Sequence, residues 1–257
     1  MPPLALVGNL SRDVVDGGPP RIGGGPYYAA QAWRALGARA TIFTRCGPDD
    51  RAAYTRRLSA VGLPVVMLPG RATTAFSFYY MDSTRVMTVE HTGDSWTPTD
   101  ARRVTPGAWV HVAPLLRSEF PAETLAALAR GRRLSLDGQG LVRAPELGPL
   151  RLDADFDRAL LRHVQILKLA EEEAEVIGAV ERLGVPEVLV TYGPGGSRVH
   201  HGGRWERVGA WPVATDPTGS GDAFSAAYLA ARSRGLTPVA AARRATALVS
   251  AMLLRRV

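Results

Sequence analysis

The stretch Thr215-Asp216-Pro217-Thr218-Gly219-Ser220-Gly221-Asp222-Ala223-Phe224 reads as a glycine-rich turn that feeds a helix. Beyond it, Phe224, Ala227, Tyr228 and Ala231 recur at helical spacing and give that helix one apolar face. The N–H groups that open a helix have no partner within it. Together with the amides of Gly219, Ser220 and Gly221 they can hold an anion. Glycine also lets backbone approach a phosphate closely. Anion binding alone gives no reason for an aspartate at the start of that helix, whereas taking a proton from an attacking hydroxyl does. Ser220 and Asp222 are equally residue types that cap helices, and composition leaves both readings open.

Outward from this turn the chain alternates strand and helix. That is the pattern of a mainly parallel sheet covered by helices on both faces. Strands are expected over 4–8, 40–45, 65–68, 108–112, 133–137, 165–169 and 187–191. Helices are expected over 26–36, 49–60, 121–129, 155–163, 171–177, 222–234 and 238–254. Pro26 suits the first turn of its helix and Gly37 the stop. The segment 74–91 breaks the alternation. There Phe76, Phe78 and Tyr80 recur with the period of a half-buried strand, Asp82-Ser83-Thr84 reads as a turn, and residues 85–91 return as a second strand. With no helix between them these strands form a hairpin, assigned to a small side sheet. A second hairpin is expected over 197–208, and the Pro/Gly-rich 144–150 reads as a surface loop.

Of the 257 residues, 46% are apolar, enough for a sizeable core. No apolar run approaches the ~20 residues of a membrane span. The start of the chain lacks the basic and apolar regions of a signal peptide. With one cysteine, Cys46, there is no internal disulfide, which fits a reducing cytoplasm. The net charge of +7 raises the question of nucleic acid. However, the cationic residues are scattered arginines, with Lys168 the only lysine, and this pattern reads as solvated helix faces rather than a nucleic-acid surface. A P-loop is excluded, since no G-x-x-x-x-G-K-[ST] occurs.

The run from Asp216 to Asp222 resembles the C-terminal signature of the ribokinase-like (PfkB) carbohydrate kinases, D-T-x-G-A-G-D, with Pro217 and Ser220 at positions where Thr and Ala are common. The resemblance implies that Gly219, Ser220 and Gly221 form an anion hole for the transferred phosphate and that Asp222 is the catalytic base. It also implies that Asp216 lies on a loop that in some members binds a monovalent cation such as K⁺. Near the other end, Gly24-Gly25-Pro26, then Ala35-Leu36-Gly37 and Gly47-Pro48-Asp49-Asp50, resembles the first signature of the family. Gly24 and Gly25 would line the substrate pocket, and Asp13 would bind substrate hydroxyls. Tyr27, Tyr28 and Ala29 stand where many members carry a substrate-binding asparagine.

Three further segments follow the family order. Thr191-Tyr192-Gly193-Pro194-Gly195-Gly196 resembles the nucleotide segment T-x-G-x-x-G, so Thr191, Gly193 and Gly196 would lie along ATP. Ala170-Glu171-Glu172-Glu173 resembles N-x-x-E, in which Glu173 would help organise Mg²⁺ through water and Ala170 replaces the asparagine. Asp137-Gly138-Gln139-Gly140-Leu141-Val142-Arg143 resembles a D-x-Q-G-x-x-R variant, with Arg143 near substrate or γ-phosphate. Without the resemblance, Asp13 reads as a turn residue, Arg143 as a surface arginine, residues 191–196 as a hairpin turn, and the three glutamates as an acidic first turn that favours the helix dipole.

The resemblance thus implies a three-layer αβα sandwich with a central mostly parallel sheet, one kinase domain over 1–257, and lid segments near 14–22 and 74–91. It implies a phosphotransferase with an alcohol acceptor, using ATP and Mg²⁺ on a small sugar or cyclitol, with a nucleoside as the alternative. A catalytically weak binding or regulatory relative and a basic nucleic-acid-binding protein are the rival classes. The aromatic lid hairpin also suggests a homodimer through the lid sheets.

Overall fold

The computed structural model describes residues 3–81, 84–105 and 107–255. The turn expected at Asp82 and Ser83 lies outside the described residues, as does the side chain of Tyr80. Among the described residues, one sheet has nine strands, in the order Arg204–Val208, Ser197–His201, Glu187–Thr191, Ile166–Ala170, Arg133–Asp137, Trp109–Val112, Leu4–Asn9, Ala40–Cys46, Val65–Pro69. Every pairing from Glu187–Thr191 to Val65–Pro69 is parallel, and the hairpin at the other edge is antiparallel. The strand Leu4–Asn9 is buried along its whole length, as expected of a strand covered on both faces.

Alternation along that strand divides the core in two. Leu4 and Leu6 pack with Trp33, Phe224 and Tyr228, under the helices Gly25–Ala35, Ser220–Ser233 and Pro238–Leu254. Ala5 and Val7 point the other way, to Trp96, Leu125 and Ile177, where the helices Ala122–Ala129 and Glu171–Ile177 cover the sheet. Helix, sheet and helix make three layers. The strand Leu4–Asn9 is also a switch point, because the chain goes outward from it first to Ala40–Cys46 and later, on the other side, to Trp109–Val112. In open α/β sheets ligands bind at the carboxyl ends of the strands beside such a point.

A second sheet of five strands stands over those carboxyl ends, in the order Gly148–Pro149, Thr84–His91, Thr74–Met81, Ser11–Val15, Arg21–Gly23. Phe76 and Phe78 turn inward and are buried, whereas Tyr79 and Met81 are exposed. Two local expectations are corrected. Part of the 144–150 loop is an edge strand, with Gly148 and Pro149 pairing with Val89 and Thr88, and the edge of a sheet is where proline is tolerated. The helix expected over 155–163 is a 3₁₀ helix, Arg158–His163, capped by the Asp157 side chain.

The two sheets are tied by a buried polar cluster. Glu119 accepts the Leu115 N–H at 2.8 Å and the Thr74 hydroxyl at 3.3 Å. Burial pushes its carboxyl up to about 7, against the pull of Leu115, Asn9, Thr74 and Arg45. Among the described residues no helix is long and apolar enough to cross a membrane.

Candidate active site

A cavity of about 500 Å³ lies between the carboxyl ends of the main strands and the second sheet, within the usual range for small-molecule sites. Ser11, Asp13, Phe76, Phe78 and Met87 form the wall on the second sheet. Gly24, Gly25, Tyr28, Gln139 and Arg143 lie opposite. Gly219, Ser220, Gly221 and Asp222 occupy the middle. Thr191, Gly193 and Gly196 continue toward a far end made by Trp211, Val213, Val249 and Leu253.

Gly219 is the N-cap of the helix Ser220–Ser233 and has φ 77, in the left-handed region that glycine adopts without strain. A methyl group there would also lie 2.3 Å from the Tyr28 ring, so the tyrosine is packed on the turn. The Ser220 N–H is turned back onto the Pro217 carbonyl at 2.9 Å. Among the described residues the amides of Gly221 and Asp222 make no such backbone bond outside the helix.

The two glycine-rich segments meet at Asp222. A methyl on Gly25 would sit 2.9 Å from Asp222 Oδ1, so the carboxylate lies against the start of the helix Gly25–Ala35. Burial, then Asp137, pushes the Asp222 carboxyl up to about 7, with Lys168 and Arg143 opposing. Asp137 ends its strand, with Oδ2 3.5 Å from Lys168 Nζ and 3.3 Å from Ser225 Oγ. Glu173 is buried, and its Oε2 accepts the Ala170 N–H at 2.8 Å. Burial raises its carboxyl while Lys168 pulls it down. For Lys168 burial acts to lower the ammonium, but Asp137, Glu173 and Asp222 together carry it above its ordinary value.

Asp13 is set against the strand Arg21–Gly23, where a methyl on Gly23 would lie 2.0 Å from its Oδ2. The Thr191 hydroxyl donates to the Leu169 carbonyl at 3.2 Å. The cavity therefore brings together Asp13, Gly24, Gly25, Arg143, Glu173, Thr191, Gly193, Gly196, Gly219, Ser220, Gly221 and Asp222. Asp216 does not line it. Its Oδ1 accepts the Thr218 N–H at 2.9 Å and the Thr218 hydroxyl at 2.6 Å, which shapes the turn. Among the described residues, no group of three or more His, Cys, Asp or Glu side chains is placed to hold a metal ion.

The motifs assigned no site role to Lys168, Tyr28 or Gln139, although the last two stand within the motif segments, and they did not reveal the apolar far end. For Lys168 there was a signal: a lone lysine among 31 basic residues, placed two residues before the Ala170–Glu173 segment. For the far end there was none, because Trp211 and Leu253 are brought together only by tertiary packing.

Residues 20–256 match the family described as pfkB family carbohydrate kinase. The chain is 30% identical over 225 residues to an inositol 3-kinase of Oryza sativa subsp. japonica, covering 80% of this chain and 55% of that protein. It thus spans about half the length of that relative. It is 27% identical over 259 residues to a cytidine kinase of Thermococcus kodakarensis, covering 90% and 89%. A solved structure of a pyrophosphate-dependent kinase in the ribokinase family, complexed with a pyrophosphate analogue and myo-inositol, matches with a TM-score of 0.86 at 26% identity, over 98% of this chain and 95% of that one.

Proposed function

The chain belongs to the pfkB family of carbohydrate kinases, and on that premise we propose that it moves the terminal phosphoryl group of ATP onto a hydroxyl of a small cyclitol or sugar, with Asp222 as general base. The observation that carries this reading is the contact of Asp222 with Gly25 beside the Gly219–Gly221 turn, which sets a base, an anion site and an acceptor wall in one cavity.

In the proposed reaction the acceptor lies between Asp13, Gly24, Gly25 and Arg143. Asp13 accepts its hydroxyl hydrogens, and Gln139 and Arg143 hold other polar groups. A hydroxyl oxygen attacks the terminal phosphorus in line. The new O–P bond forms, the bridging P–O bond breaks, and its electron pair leaves on the terminal oxygen of ADP. The hydroxyl proton passes to Asp222. The amides of Gly221 and Asp222 face the charge that builds on the phosphoryl oxygens, an arrangement typically worth about 3–4 kcal/mol per well-placed donor. With its N–H bonded to Pro217, Ser220 contributes to the turn more than to the hole.

Thr191, Gly193 and Gly196 run along the phosphates and ribose. The apolar far end of Trp211, Val213, Val249 and Leu253 suits a nucleobase, which is why ATP is the donor of choice here. Pyrophosphate, named for the solved relative, needs no such slot. The residues fit Mg²⁺ in one manner only. Glu173 has one carboxylate oxygen engaged with Ala170 and could reach the ion through water, while the donor's own phosphate oxygens hold it. Bound there, Mg²⁺ would offset the donor's negative charge. We assign no step to a monovalent cation near Asp216.

Cys46 is buried and unpaired, in keeping with a reducing, ATP-rich cytoplasm. Several arginines are tied in ion pairs, such as Arg45 with Asp100 and Arg232 with Glu187, and we assign the chain no nucleic-acid partner.

A nucleoside acceptor is the second reading, favoured by the buried Phe76 and Phe78 on the acceptor wall. The deciding experiment is a ³¹P NMR screen of inositols, sugars and nucleosides, each with ATP and with pyrophosphate. Acceptor-dependent transfer from ATP to a cyclitol or sugar is expected. Turnover confined to nucleosides would replace the acceptor, and turnover confined to pyrophosphate would replace the donor. No acceptor-dependent loss of either donor would sink the kinase reading.

A further inference from the structure

Lys168 is the only lysine in the chain, and it stands in the middle of the site. Along the strand Ile166–Ala170 side chains alternate. Leu167 and Leu169 enter the core under the helix Glu171–Ile177, and Ile166 enters the opposite core, under the helix Ser220–Ser233. Lys168 shares the Ile166 side. It is 6% exposed, and that remaining surface lines the cavity. A methyl on Gly221 would lie 3.0 Å from Nζ, so the ammonium is seated against the turn proposed to receive the phosphate.

The surroundings of Nζ leave it donors to spare. Its ion-pair partner among the described residues is Asp137 Oδ2 at 3.5 Å, longer than a charge-assisted hydrogen bond. Among the described residues Nζ makes no hydrogen bond to protein. An ammonium carries three N–H donors, and burying one without hydrogen bonds is costly. The charges around it are Asp137, Glu173 and Asp222 against Arg143 and Lys168 itself, so the ammonium is held charged. Ala170, the next residue on this side of the strand, has no polar group to offer. A lysine is a compact point charge with rotatable donors, suited to following a group that moves.

Resting on the kinase reading above, we propose that Lys168 Nζ is a ligand of the phosphoryl group in transit. It binds the terminal phosphate of the donor in the ground state. It then holds the equatorial oxygens more strongly as the bridging P–O bond breaks and the acceptor O–P bond forms. The hydroxyl proton still goes to Asp222, and Lys168 stays protonated throughout. A lysine that served only as counter-ion to Asp137 would have no contact with the donor.

One lysine gives one side-chain signal, which makes the test direct. In protein labelled with ¹⁵N-lysine, the Nζ resonance is expected to shift saturably on titration with ATP or inorganic pyrophosphate, tracking binding measured by calorimetry on the same sample. Lys168→Met should lower kcat by about 10²–10³, with the acceptor KM within about threefold. A resonance that stays fixed while calorimetry shows the donor bound overturns the proposal, and this holds even if the variant fails to fold. Lys168→Met turnover within about threefold of wild type overturns it as well. A saturable Nζ shift with no transfer to any acceptor would overturn the kinase reading while leaving the anion contact standing.

Discussion

The acidity of Asp222 sets a pH profile that can be worked out in advance. Burial and the neighbouring Asp137 raise its carboxyl to about 7, and the positive charges of Lys168 and Arg143 hold it from going higher. A base must be ionised to accept a proton, so kcat/KM should rise with pH through about 7 and level off above it. One unit below that midpoint about a tenth of the molecules carry the ionised base, and two units below about a hundredth. The assay is initial rate at subsaturating acceptor from pH 5 to 9, with donor saturating. In Asp222→Asn the rate should fall by about 10²–10⁴ and the acid limb should vanish.

Stability should move the other way. The folded protein holds a proton on Asp222 that the unfolded chain releases near pH 4, so ionisation of this group destabilises the fold increasingly from pH 4 to 7. The Asn variant should therefore melt at or above the wild-type Tm at pH 8, with the gap closing toward pH 4. An acid limb centred near 4 would show that Lys168 and Arg143 outweigh burial. Near-normal turnover of a folded Asp222→Asn protein would show that Asp222 is not the base.

Further outcomes follow from the same geometry. Asp13→Ala should raise the acceptor KM by the equivalent of about 1.5–3 kcal/mol while leaving donor affinity unchanged; equal acceptor kinetics in the two proteins would remove Asp13 from the site. Gly219→Ala meets both a φ of 77 and the Tyr28 ring at 2.3 Å, so Tm and kcat should both drop. Adding Tyr28→Ala should recover only the part due to the ring, leaving about 1–2 kcal/mol of backbone strain; full recovery would show that the backbone is unstrained. Glu119→Gln keeps an acceptor for the Leu115 N–H but removes a carboxyl raised to about 7 by burial. It should raise Tm at pH 8 and have little effect at pH 4, and a loss of stability at pH 8 would mean that the ionised form is favoured. The exposed Tyr79 and Met81 on the second sheet suit self-association. Light scattering at micromolar concentration should report a dimer that Tyr79→Glu disperses, and a wild-type monomer would discount it.

What was legible in the sequence was whatever is encoded locally. The Gly219–Asp222 turn and the Gly24-Gly25 pair are short strings whose residue types have few other uses. The inward Phe76 and Phe78 follow from a period of two. Misreadings came where tertiary context decides. Gly148-Pro149 looks like a loop by composition, and only the free edge beside Val89 makes it a strand. Across 155–163 the apolar residues are too few to separate a period of 3.0 from one of 3.6, so Leu160 and Leu161 fit either helix type. The helix Pro98–Arg102 did carry a readable sign, since Thr97 and Asp100 form a reciprocal capping box. The charge cluster of Asp137, Lys168, Glu173 and Asp222 comes from strand and helix ends far apart in the chain, and no local pattern announces it.

The Trp33 indole N–H donates to the Ala226 carbonyl across 193 residues at 2.7 Å, where the helices Gly25–Ala35 and Ser220–Ser233 pack together. Seen from the ribosome, that contact sets a waiting time. At about 5–20 residues per second, the apolar face of the early helix stays uncovered for roughly 10–40 s until its partner emerges. The strand Leu4–Asn9 can pair with Ala40–Cys46 early, but its other side waits for Trp109–Val112. Among the described residues, a nascent chain stalled before residue 220 would hold all nine strands of the main sheet and much of the cavity wall but lack Gly221 and Asp222, with a sticky helix exposed. The protein's yield in a cell should therefore depend on chaperones that shield this one helix late in translation, and synonymous codon changes that slow the last forty residues should lower yield without altering any property of the finished molecule.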